Sequence, residues 1–329
     1  MAKDISFAEE QSKILEFFRP KSSPRPLMRV GGEGDGAYLV PEDFDGVTDC
    51  FSPGVADAKT FEDQLLLDYG IRSHLLDRSA EPIGLSTFFL DGFQTFESKW
   101  LGPRTEGDFL ALEDWVRMKA DPAGDLILQI DIEGAEFEVF QSASVDLLRR
   151  FRIIVVELHW IPALLGSEDA VREVLTPMVG KLGDNFVTVH AHANNCCGER
   201  VPEGMQVFLP NIFELTLLRK DRYENGLGEI LFKPIIPHPL DIKKNMPQNP
   251  HLTCELGSKR SRVANLFFSF RYFFEDFFDT RVSQKALLAG LRTPVRLKKW
   301  TRRTADYLYK KPQWGIFRLL RIFARERAD

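Results

Sequence analysis

Apolar positions along the chain switch period repeatedly, and the switches predict its elements. Over residues 7–18 they recur every three or four positions, which predicts an amphipathic helix. "RPKSSPRP" (19–26) then ends it, because its three prolines cannot continue a helix. "LMRVGGEGDGAYLVP" (27–41) is glycine-rich and closes in a short apolar strand. From Val47 onward short apolar runs alternate with helical patterns. The runs predict strands over 47–51, 72–77, 85–90, 125–131, 152–160, 185–192 and 213–220. The helical patterns fall over 59–69, 108–119, 135–150 and 167–180.

Strands alternating with helices predict a mostly parallel sheet covered on both faces. The expected fold class is therefore α/β, a Rossmann-like sheet of about seven strands. The expected divisions are an N-terminal helix and linker over 1–27 and an α/β domain over 28–237. A polar, proline-containing linker over 238–262 and a helical, basic and aromatic extension over 263–329 follow.

Composition adds three points. A 44% hydrophobic content supplies a large core. The net charge of −5 hides an asymmetry: residues 259–329 hold 18 Lys and Arg against 6 Asp and Glu, while the rest holds 25 against 42. A basic tail on an acidic body suggests two surfaces with different partners. The four cysteines form no CxxC pair, and the neighbours Cys196 and Cys197 are expected to be reduced thiols. The N-terminus is acidic without a signal-like apolar core, and no run reaches the ~20 apolar residues of a membrane span. A cytoplasmic protein is expected.

Candidate chemistry sits at the predicted strand ends. In an open parallel sheet ligands bind beyond the carboxyl ends of the strands, where strand order reverses. The first strand leads to Gly54, a turn or close-approach position, and then to a helix N-terminus. Asp77 ends the next strand, about 20 residues on, where an acid can accept both hydroxyls of a ribose. Asp131 ends a buried strand in "LILQIDIEGAEFEVF" (126–140). The plainer reading is that Glu133 and Glu136 only favour the following helix start. No GxxxxGK(S/T) loop is present, and "GGEGDG" (31–36) precedes a strand, the wrong context for a dinucleotide fingerprint.

"LQIDIEGAEFEVF" followed by "IIVVELHW" resembles the FkbM-type branch of class I S-adenosylmethionine-dependent methyltransferases. "RVGGEGDGAYLV", "HAHANN" and "FELTLLRK" are similar to stretches of one branch of it, so the resemblance covers roughly residues 28–221. It implies a seven-strand methyltransferase sheet and S-adenosyl-L-methionine as cofactor. The implied cofactor contacts are Asp35, Gly36, Gly54, Asp57, Glu62, Asp77 and Asp131. Asp57 or Glu62 would pair with the cofactor's ammonium. The chain departs from the family pattern at Ser52, where an acid is usual, and at Ala58, where a glycine is usual.

Methyl transfer to oxygen requires the acceptor to be held in line and its proton removed. His159, His190 and His192 lie at strand ends and suit a base, and Glu157 shares a strand face with His159. Asn194 and Asn195, with Glu133, suit an acceptor rich in hydroxyls. The expected reaction is O-methylation of a sugar, glycan or glycolipid. A divalent metal on Asp131, Glu157 and His159 is left open. Zinc on Cys196 and Cys197 is disfavoured, since adjacent cysteines rarely both ligate one tetrahedral ion.

The tail carries seven Phe and one Tyr within 267–278. "WGIFRLLRIFARER" (314–327) sets Phe317, Leu320 and Ala324 on one helical face and Arg318, Arg321 and Arg325 on another. That pattern fits peripheral contact with an anionic membrane, a helical cap, or a homodimer contact. Nucleic acid is not expected, because the acidic body opposes phosphate approach. A methyltransferase-like adaptor without catalysis, binding a membrane or protein through this tail, is the rival reading.

Overall fold

The computed structural model describes residues 5–225, 238–242, 245–246, 249 and 252, all within one compact unit. The extension over 263–329 and most of the linker segment lie outside the described residues. The N-terminal helix Phe7–Phe18 starts where Ser6 and Glu9 form a reciprocal cap, and it buries Ile14 and Phe18.

Seven strands form the main sheet. They are β1 (Val47–Pro53), β2 (Arg72–Leu76), β3 (Gln94–Glu97), β4 (Asp125–Ile130), β5 (Phe151–His159), β6 (Phe186–Ala193) and β7 (Ile212–Arg219). Their spatial order is β6-β7-β5-β4-β1-β2-β3. Every neighbouring pair is parallel except those of β7, which runs antiparallel to both β5 and β6. Strand order reverses between β1 and β4. The sheet is thus the mixed, mostly parallel, Rossmann-like α/β arrangement the sequence predicts.

The period-2 pattern divides the sheet's residues between two cores. Leu126, Leu128 and Ile130 of β4 face one layer with Ile154, Val156 and Leu158 of β5. That layer contains Trp115, Phe137, Phe140 and the N-terminal helix residues Ile14 and Phe18. Ile127, Ile153 and Val155 face the other layer. It is covered by Phe61 and Leu65 of the helix Thr60–Tyr69 and by the hairpin Leu27–Val30/Tyr38–Pro41.

Several expected elements differ from those observed. The strand that pairs with β2 is Gln94–Glu97, not 85–90. The run "LSTFFL" joins no strand: Phe88 is 92% exposed, the Ser86 N–H donates to the Asp57 carbonyl at 2.6 Å, and the Thr87 hydroxyl donates to Asp63 at 2.6 Å. The helix expected over 135–150 is two helices, Glu136–Ser142 and Val145–Leu148, because Ser144 caps the second. The helix expected over 167–180 extends to Asn185 through a wide turn at Val171–Leu175. Pro177 explains that turn, since it cannot donate the helical hydrogen bond to the carbonyl of Glu173.

Cys196 and Cys197 are joined as a disulfide, which corrects the expectation of two reduced thiols. The chain bends there after β6, and the Asn194 side chain holds the bend by accepting the Cys196 N–H at 2.9 Å. The bend brings two side chains together that would point apart in a strand. Cys50 is free and buried.

Candidate functional site

On the hairpin-covered face, each central strand changes from apolar to polar toward one edge. β4 runs Ile127, Gln129, and its chain continues to Asp131; β5 runs Ile153, Val155, Glu157, His159. β7 runs the other way and aligns Glu214 with Glu157. The result is a buried polar band at the carboxyl ends of β1, β4 and β5, at the point where strand order reverses.

Gly54 follows β1 with φ +87°, and a Cβ there would overlap the carbonyl oxygen of Asp131. Its close approach is therefore to the chain's own backbone, which seats the β1 turn against the end of β4. Asp77 lies at the end of β2, 4% exposed. One carboxylate oxygen accepts the Ala56 N–H at 2.9 Å and the other accepts from the Ser79 N–H and hydroxyl at 2.7 Å. Asp57 is exposed on the same turn.

Glu62 points inward and is 3% exposed. Its carboxyl meets the Ser52 hydroxyl, which lies 2.6 Å from Gln129 Oε1, and Gln129 donates to the Tyr38 hydroxyl at 3.1 Å. Burial raises the Glu62 carboxyl to about 7, against the Ser52 contact, which favours its ionised form. Ser52, the departure from the family pattern, thus partners the acid supplied from the next helix.

The "GGEGDG" loop is clamped rather than open. Gly31 N–H donates to Gln64 Oε1 at 2.8 Å and Gly32 N–H to Thr60 Oγ1 at 3.1 Å. Both donors are thereby spent on the helix Thr60–Tyr69. Asp35 accepts from Asn245 at 3.0 Å, and Gly36 adopts φ +76°.

The acidic turn after β4 is organised by Glu136. Its buried carboxylate accepts the Ile132 N–H at 2.9 Å and the Gly134 N–H at 2.9 Å. It also lies 3.2 Å from His159 Nδ1. His159 Nε2 faces Asp131 at 3.7 Å and Glu133 at 3.5 Å. Burial alone would lower the His159 pKa, but Glu136, Asp131 and Glu133 raise it to about 9. Burial, with Glu133, Glu136 and Asp35 nearby, raises Asp131 to about 8 despite the opposing pull of His159. Trp160 follows with φ +63° and is 47% exposed. Its indole crosses Gly134, where a Cβ would lie 2.9 Å from Nε1.

The remaining expected residues gather at β5, β6 and β7. Asn194 donates to Glu157 at 3.1 Å and to Glu214 at 3.0 Å. Burial, then Asp131 and Glu214, push Glu157 well above the usual carboxylate range. His192 contacts Asn245 at 3.1 Å and Asp241 at 3.7 Å, and His190 lies 3.3 Å from Asp241. Burial would lower His192, but Glu214 and Asp241 raise it to about 9. Asn195 holds Met246 and Asn249. The described part of the segment expected as a linker is thus anchored on the sheet. A small cleft, with room for little more than a water molecule, lies there, lined by Tyr38, His190, His192, Glu214 and Asp241.

Sequence reasoning missed Glu214, Tyr38, Asp241 and Asn245, and treated Glu136 as a helix starter. Glu214 had a signal, a lone acid inside the apolar run "IFELTLL". Asp241 and Asn245 had none, because polar residues in a proline-containing stretch look like any linker.

The fold and this band define a Rossmann-like α/β domain with a buried polar site at its switch point. The family model of the Methyltransferase FkbM domain matches residues 115–181, the family that the acidic motif resembles. The match runs through β4, the acidic turn and β5, and so includes Asp131, Glu133, Glu136, Glu157 and His159. No curated protein matches the chain.

Proposed function

We propose that this protein is an S-adenosylmethionine-dependent O-methyltransferase acting on a hydroxyl of a sugar, glycan or glycolipid. The observation that carries it is the meeting of the Gly54 turn, Asp77 and Asp131 at one switch point, beside an acidic basin of Asp35, Glu133, Glu157 and Glu214. The cofactor carries a sulfonium and an ammonium, and a basin of carboxylates suits both charges. The Asp77 oxygen that accepts the Ala56 N–H retains acceptor capacity for a ribose hydroxyl. Asp131 Oδ1 is buried without a hydrogen bond and faces the basin.

The bound cofactor supplies a methyl carbon whose bonding pair stays on sulfur when the acceptor oxygen displaces it. The chain must align that oxygen and take its proton. His159 and His192 hold their own protons at neutral pH among their acids, and Asp131, raised to about 8, becomes available as the base only as pH climbs toward that value. Glu157 and the Asn194 amide supply acceptor and donor groups to a polyol.

Calorimetric titration with S-adenosylmethionine and S-adenosylhomocysteine tests the reading. Saturable heat and a raised melting temperature are expected. Neither signal at about millimolar ligand, roughly 4 kcal/mol of binding, would overturn it. The inward-turned Glu62 favours the adaptor reading to one degree, since it withdraws a carboxylate from the cofactor's ammonium; the same titration decides between them.

A further inference from the structure

The acidic turn also sets His159 against two of the site's carboxylates. Three potential donors converge on one point: a carboxylate oxygen of Asp131, one of Glu133, and Nε2 of His159. All lie within 4.8 Å of one another. His159 is 3% exposed, and with its Nδ1 3.2 Å from Glu136 the ring turns its other nitrogen, Nε2, to the cluster. Its Nε2 stands 3.5 Å from Glu133 and 3.7 Å from Asp131, too far for a hydrogen bond of ordinary strength. Ligand atoms each about 2.0–2.2 Å from a shared ion sit about 3.0–3.5 Å from one another. The two spacings to His159 are at the upper end of that range or just beyond it, and the two carboxylates lie within 4.8 Å of one another.

Glu136 strengthens the case. A metal-bound histidine commonly presents its other ring N–H to a carboxylate, which fixes the ring and its tautomer. Glu136 lies 3.2 Å from Nδ1 and is itself locked by the Ile132 and Gly134 N–H groups. Glu133 reaches the cluster from a left-handed backbone, φ +58°. The second carboxylate group nearby, Asp35, Glu157 and Glu214, lacks this character. Its oxygens already accept from Asn194 and Asn245.

We propose that Asp131, Glu133 and His159 bind one divalent first-row cation, with Glu136 as the positioning residue behind His159. Two carboxylates and one imidazole suit Mn²⁺ better than Mg²⁺ or Ca²⁺, which prefer oxygen alone. Three protein ligands leave positions open for oxygens of an acceptor. The use of those positions rests on the methyltransferase reading; the site itself does not. In that use the cation would orient an acceptor hydroxyl and make it more acidic.

The test is titration of the metal-stripped full chain with Mn²⁺, following loss of the free-ion resonance signal. One bound ion per chain at sub-millimolar concentration is expected. Binding should weaken at least ~10-fold in His159→Gln and in Glu133→Gln, and ~10-fold or more in Glu136→Gln. The Glu133 side chain is 51% exposed, so Glu133→Gln keeps the test valid if a buried variant fails to fold. Glu214→Gln should bind Mn²⁺ as the wild type does. No binding at millimolar Mn²⁺, equal binding in Glu133→Gln, or loss confined to Glu214→Gln would overturn the site. Titrating the same samples with S-adenosylmethionine separates the two readings. Mn²⁺ binding without cofactor binding keeps the metal site and sinks the methyltransferase; cofactor binding without Mn²⁺ binding does the reverse.

Discussion

Glu62 shows how one residue's environment can replace a family signature. The chain has Ser52 where an acid is usual, and Glu62 from the next helix brings its carboxyl to that serine. Ser52 has one proton, and Gln129 Oε1 also requires a donor, so a protonated Glu62 satisfies the chain best. The sign of the pH effect follows. The folded Glu62 pKa is raised to about 7, above the 4.5 of an unperturbed carboxyl. The native state therefore holds a proton that the unfolded state releases, and stability falls as pH rises from about 4.5 to about 7. Glu62→Gln mimics the protonated form. It should raise the melting temperature at pH 8, by the equivalent of roughly 2–3 kcal/mol, and change it little at pH 4. Thermal melts at the two pH values check this; an equal shift at both would mean that Glu62 is ionised in the fold. The sequence showed the strand-end residues Asp77, Asp131 and His159 because period-2 alternation exposes a polar residue on an apolar face. It did not show that Glu62 turns inward, since its position on helix Thr60–Tyr69 fits either direction.

Elements were legible where burial was two-sided and obscure at the sheet's margin. β1, β4, β5 and β7 read as strands because both faces are apolar along most of their length. β3 did not, because "QTFE" is short, mixed and ordered by pairing with β2. The central strands are also tied at their opposite end by Arg152 of β5, 5% exposed. Its guanidinium donates to Asp125 of β4 at 2.7 Å and to the carbonyls of Asp43 and Asp45 at 3.2 and 2.6 Å. One cation thus fixes β5, β4 and the loop entering β1. Arg152→Ala should cost about 3–5 kcal/mol, since it leaves buried acceptors unpaired. Denaturant unfolding measures it, and a cost under about 1 kcal/mol would show the cluster to be solvated. Asp125 keeps Arg219 as a second partner, so Arg219→Ala should cost less.

At the scale of the whole molecule the charge asymmetry poses the last question. The segment from Lys259 onward has three times as many basic as acidic residues, while the rest of the chain is strongly acidic. No helix among the described residues is long and apolar enough to cross a membrane. An acidic body is repelled by an anionic bilayer, so any attraction must come from the basic, aromatic segment. Each Lys or Arg near such a surface contributes about 1 kcal/mol, and the contribution is screened beyond about 10 Å in ordinary salt. Phe and Trp at helical spacing from those charges add apolar burial. The full chain should therefore pellet with vesicles containing phosphatidylserine and remain in solution with neutral phosphatidylcholine. The bound fraction should fall in high salt and in the triple variant Arg318→Glu, Arg321→Glu, Arg325→Glu. Equal pelleting with neutral vesicles would mean that apolar contact alone is responsible. No pelleting with either would leave the segment to a cap or a second copy of the chain. Binding would hold the acceptor site near a lipid-linked sugar, and of the acceptors proposed a glycolipid would gain most from that proximity.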